Sequence, residues 1–159
     1  MKGSEIMLLR IVSLINMDNP SLEDRLELLE ELYWANWSEL DDQYPGEVNK
    51  VFEYLKTSEL TIEEKSKVLQ LYNNIEGAHT LEFAEIIADL YKEDRIDFIK
   101  ALNLSIDEAP HLVYIFRVRG IFEDEDEEFN EVKSFGRLNE VELEAANTFY
   151  SMYKNICNT

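Results

Sequence analysis

The chain has 159 residues, 45% of them hydrophobic and 11% aromatic, with 34 Asp and Glu against 15 Lys and Arg for a formal net charge of −19. That much apolar content excludes a disordered acidic tail, because the chain can bury a core while carrying a strong negative field. The field disfavours free nucleic acid and anionic membrane as direct partners, since each contact adds repulsion, and it favours a basic protein surface.

Length points to one domain, residues 1–159, of which about two thirds of the unfolded surface can be buried. The single cysteine, Cys157, permits no internal disulfide and no cysteine metal cluster, which fits a reducing, cytoplasmic compartment. The apolar run Met7 to Ile15 is preceded by Glu5 and interrupted by Arg10, and it is well short of the ~20 residues a membrane span needs. It reads as a core helix over 4–17.

From there apolar residues recur at three- and four-residue spacing, the signature of amphipathic helices, with the few prolines and glycines between them as punctuation. Leu22, Leu26, Leu29, Tyr33 and Trp37 form one stripe, followed by Val48, Val51, Phe52 and Leu55. Val68, Leu69, Tyr72 and Ile75 form another, then Phe83, Ile86, Ile87 and Leu90, and then Phe98, Ile99 and Leu102. His111 to Arg119 is rich in β-branched and aromatic residues and admits a strand, but its helical surroundings favour a buried helix. A long helix from Leu138 to Ile156 ends the chain. The expected class is all-α, with seven to eight helices.

Three helix starts share one pattern of hydroxyl, aliphatic, acid, acid: Ser21-Leu22-Glu23-Asp24, Thr61-Ile62-Glu63-Glu64 and Ser105-Ile106-Asp107-Glu108. The hydroxyl caps the backbone three residues on and the acid there reaches back. Pro110 moves the third helix start toward Ala109. With starts at 21, 61 and 105, the chain resembles HEAT- or armadillo-like two-helix repeats, which implies units 21–58, 61–103 and 105–156 behind the first helix. An irregular helical bundle is the equal alternative.

Two segments stand out as contact surfaces. Tyr33, Trp34, Trp37, Glu39, Asp41, Asp42 and Tyr44 bring both tryptophans beside three acids, more aromatic area than one helix face can bury along with its leucines. The run Glu123, Asp124, Glu125, Asp126, Glu127 and Glu128 is expected to repel itself into an extended, solvated loop that a Lys- or Arg-rich partner would dock on. Its alternate acids suggest calcium, but Phe129 replaces the turn glycine and Phe135 the final glutamate of such a loop. Between these acidic sections, Lys92 to Arg119 is balanced, and Arg95, Lys100, Arg117 and Arg119 are expected to offset local acids or form internal ion pairs.

His79 and Glu82 lie one turn apart, a spacing used for metal or acid–base chemistry, but no second histidine is near. No phosphate-binding glycine loop and no glycine-flanked nucleophile occurs. The expectation is therefore no catalytic, cofactor or metal site. The expected function is an acidic binding module that neutralises a basic protein, of the physical type of bacterial immunity proteins or nucleic-acid mimics, with a helical-repeat adaptor as the alternative.

Overall fold

Ten α-helices and no strand occur among the described residues, which in this computed structural model are 3–57, 59–71 and 79–157. They are α1 Gly3–Ile15, α2 Leu22–Trp34, α3 Trp37–Gln43, α4 Glu47–Thr57, α5 Ile62–Leu71, α6 Thr80–Glu93, α7 Arg95–Leu104, α8 Ala109–Arg119, α9 Glu125–Ser134 and α10 Glu140–Cys157. The chain packs as two compact units, Met1–Phe83 and Ala84–Thr159. No described helix is long and apolar enough to cross a membrane.

Two departures account for the larger helix count. The stripe from Leu22 to Trp37 is broken at Ala35, whose extended backbone ends α2, and Asn36 restarts the chain by accepting the Glu39 amide at 3.1 Å. An asparagine cap competes well with continued helix because its side chain satisfies an otherwise orphaned N–H. The acid run, expected as a loop, instead supplies the first turn of α9. Tyr72 and Ile75 lie outside the described residues.

In the first unit α2 packs on α1 and α5, while α4 packs on α1 and α3. The core is aliphatic with three large rings, Trp37, Phe52 and Phe83, and Leu8, Ile11, Leu29, Leu32, Leu40 and Trp37 are essentially inaccessible. Both predicted capping boxes here are formed. Ser21 accepts the Asp24 amide at 3.1 Å and donates its own to the Asp24 carboxylate at 3.1 Å. Thr61 and Glu64 make the same exchange at 3.1 and 3.0 Å.

In the second unit α10 is the central element, packed against α7, α8 and α9. The segment 111–119 is helical, and its β-branched and aromatic residues serve burial: Leu112, Val113, Ile115 and Phe116 all face the core. Edge-to-face rings run through that core, with Phe116 perpendicular to Phe149 at 5.1 Å and Tyr91 to Phe116 at 5.0 Å. The Tyr91 and Tyr150 hydroxyls meet at 2.9 Å, and burial raises the pKa of both. Each such ring contributes roughly 1.5–3 kcal/mol by leaving water, and tight ring pairs add about 0.5–1.5 kcal/mol.

The third expected cap is absent. Ser105 donates back to the Ala101 carbonyl at 3.2 Å, and a short 3₁₀ turn, Ile106–Glu108, leads into α8 with Pro110 in its first turn. That helix ends at Gly120 with φ +60°, a left-handed conformation in which the Gly120 and Ile121 amides return to the carbonyls of Arg117 and Phe116.

Candidate functional site

The aromatic segment 33–44 divides between interior and surface. Trp37 is 1% exposed, donates its indole N–H to the Leu32 carbonyl at 3.3 Å and lies 6.0 Å from the Phe52 ring. It is a core residue and offers nothing to a partner, which corrects its place in the expected contact surface. The cause is the break at Ala35: restarting the helix turns Trp37 inward while Trp34 ends the previous helix on the outside. Trp34 is 65% exposed, its ring edge-on to Tyr33 at 4.8 Å, its N–H on Glu30 at 3.2 Å.

The acids of this segment also diverge. Asp41 pairs with His79, whose ring lies 5.4 Å from Phe52, so this carboxylate helps hold α3 to the chain entering α6. Asp42 is fully outward, while Glu39 and Tyr44 are half-buried. His79 meets Asp41, while Glu82 takes Lys56 at 2.6 Å. No group of three or more His, Cys, Asp or Glu side chains among the described residues is arranged to hold a metal.

The second segment forms the start of α9. Asp124 caps α9, accepting the amides of Asp126 and Glu127 at 3.0 and 3.1 Å. Glu125, Asp126, Glu127 and Glu128 then occupy the first turn, where the unsatisfied N–H groups and the helix dipole stabilise negative charge. Phe129 and Val132 follow on the inner side, Val132 fully buried and Phe129 5.7 Å from Tyr150. Repulsion among exposed acids is weak in water, so capping and this apolar anchor prevail.

The result is a shallow groove of about 540 Å³ lined by Phe122, Glu123, Asp124, Glu127, Glu128 and Glu131 around Arg95. Arg95 forks between Glu128 and Glu131 and lies over the Phe135 ring at 5.7 Å. Hydrogen bonding to Glu131 raises the pKa of Arg95, and the guanidinium in turn holds the Glu131 carboxyl below the usual range. Asp126 faces away to Lys154 at 3.0 Å. Glu123 and Glu127 have no ionic partner among the described residues. Five carboxylates therefore surround Arg95 in this lining, and two of them, Glu128 and Glu131, pair with it.

Sequence reasoning did not place Arg95, Phe122 or Glu131 here. The available signal was the one-turn spacing of Glu128 and Glu131, which presents two carboxylates on one helix face. The balanced section does form internal pairs: besides Arg95, Lys100 meets Glu142 at 3.1 Å and Arg119 meets Glu85 at 3.0 Å. Comparisons with protein-family models, curated proteins and solved structures return no match for this chain.

Proposed function

We propose that the protein is a binding module for a basic protein, which it neutralises by accepting Lys or Arg side chains in the groove at the start of α9. The observation that carries this is the excess of carboxylate around Arg95, with Glu123 and Glu127 unpaired among the described residues. Charge of this kind steers encounter over distances near the Debye length, roughly 8 Å at physiological salt, and discriminates against acidic partners and nucleic acid. Phe122, at the groove wall, supplies apolar contact for the methylene stem of the incoming side chain. The exposed Trp34, with the half-buried Tyr33 edge-on to it, is a second contact region of the same reading.

Neutralisation of a cationic toxin or nuclease in the cytoplasm, as immunity-type proteins perform, is the specific form of this proposal. The adaptor alternative, built on stacked repeats 21–58, 61–103 and 105–156, has less support, because Ser105 does not cap its helix as Ser21 and Thr61 do.

Binding of a synthetic arginine-rich peptide tests the groove. Reversal of Glu123 and Glu127 together to Lys is expected to weaken binding at least about tenfold and to slow association. Reversal of Asp18 and Glu63 to Lys, two exposed acids outside both contact regions, changes net charge equally and serves as the comparison. Equal loss in both double variants would show that net charge alone, not the groove, attracts the probe. Capture from the native cell at low salt, eluted by rising salt, then identifies the physiological partner.

A further inference from the structure

The outer face of α8 carries an apolar ridge. Pro110, Tyr114 and Val118, at successive four-residue spacing, are all exposed, Tyr114 by 60% and Val118 by 66%, and Ile106 is exposed one turn ahead of them. Residues four apart line up as a ridge along a helix, the unit from which helix–helix contacts are built. The inner face of the same helix is already committed to the core through Leu112, Val113, Ile115 and Phe116.

We propose that this ridge pairs with the same ridge of a second copy of the chain, the two α8 helices running antiparallel. The charges on the face select that occupant. Most of the surface of a −19 chain repels its own kind, but the section Lys92 to Arg119 carries five acids and five bases. At one end of the ridge stands Asp107 and at the other Arg117, neither with an ionic partner among the described residues. An antiparallel pairing centred on residue 112 brings Asp107 of each copy to Arg117 of the other. The same register sets Pro110 against Tyr114 and Ile106 against Val118, so every contact occurs twice, as an isologous twofold interface requires. A parallel pairing would instead oppose like charges. A basic partner is drawn to the acidic groove and has no comparable reason to choose this balanced face.

Sedimentation of the full chain at about 150 mM salt, where repulsion between copies is screened beyond roughly 8 Å, tests the pairing. A dimer that dissociates on dilution is expected, by mass action. Tyr114→Glu is expected to shift the dimer to monomer. Asp107→Arg and Arg117→Asp are each expected to weaken association about tenfold, since each removes two ion pairs and creates two repulsions. The variant with both substitutions is expected to recover most of the affinity. All of these positions are exposed, and circular dichroism checks that the variants fold. A monomer at every concentration overturns the proposal and leaves the ridge to a different partner. A dimer indifferent to Tyr114→Glu, or a double variant no better than the singles, overturns it as well.

Discussion

Glu64 shows how much one side chain can join. It is fully buried, yet one carboxylate oxygen accepts the Thr61 amide at 3.0 Å while the other accepts from Arg25 at 3.1 Å and from the Tyr54 hydroxyl. The capping residue of α5 thereby also ties α2 and α4. Burial pushes its pKa up, but the hydrogen bonds from Tyr54 and Thr61 and the Arg25 charge outweigh it, and the group lies below the usual carboxylate range. A carboxyl depressed in the folded state contributes stability that is present above its unfolded value, near 4.5, and is lost as pH falls through the folded value. Glu64→Gln is expected to cost about 1.5–3 kcal/mol at pH 7, the range for hydrogen bonds to a charged group. Urea unfolding of both proteins between neutral pH and about pH 3 checks it: the difference should shrink below pH ~4.5 and persist above it. Glu142 repeats the device in α10, accepting the Asn139 amide at 2.9 Å and pairing with Lys100. The Thr61–Glu64 box was legible because capping is local, but Arg25 lies 39 residues away and nothing in the sequence names it as the partner.

At the scale of elements, α9 is the instructive case. Six consecutive acids read as a loop when only their mutual repulsion is weighed. The decisive features are Asp124 as cap, the helix dipole, Val132 and Phe129 as anchors, and Arg95 from another helix. Of these, the cap and the apolar pair were visible in the sequence, and Arg95 was not. Asp124→Ala is expected to destabilise the protein by about 1 kcal/mol and Asp124→Asn by much less, since asparagine caps nearly as well. Denaturant midpoints of the two variants decide this. If α9 owed nothing to its cap, the two substitutions would be equivalent. The tryptophans teach the same lesson: the sequence grouped both in one contact segment, and a single asparagine cap at position 36 moved Trp37 inside and left Trp34 outside.

For the molecule as a whole, a charge of −19 acts against its own compactness. The ion pairs that join distant segments, such as Arg10 with Glu27 and Lys67 with Glu30, are partly solvated and contribute little each. Screening therefore removes more repulsion than attraction. The thermal midpoint is expected to rise as the Debye length falls from about 30 Å to about 8 Å, by roughly 2–4 °C for each kcal/mol of repulsion relieved. A midpoint that falls with salt would mean that the ion pairs dominate.

The sequence by itself determined what depends on neighbours within one helical turn: the periodicity behind the all-α class and the capping boxes at Ser21 and Thr61, whereas the β-branched and aromatic segment 111–119 admitted a strand until its packing showed a helix. Periodicity and capping are local, so they survive without knowledge of the fold. Tertiary structure alone decided which cation each acid meets, which tryptophan is buried, and that the acid run becomes a groove wall around Arg95. Those outcomes depend on packing between segments tens of residues apart, where burial and charge are set by what arrives from elsewhere in the chain.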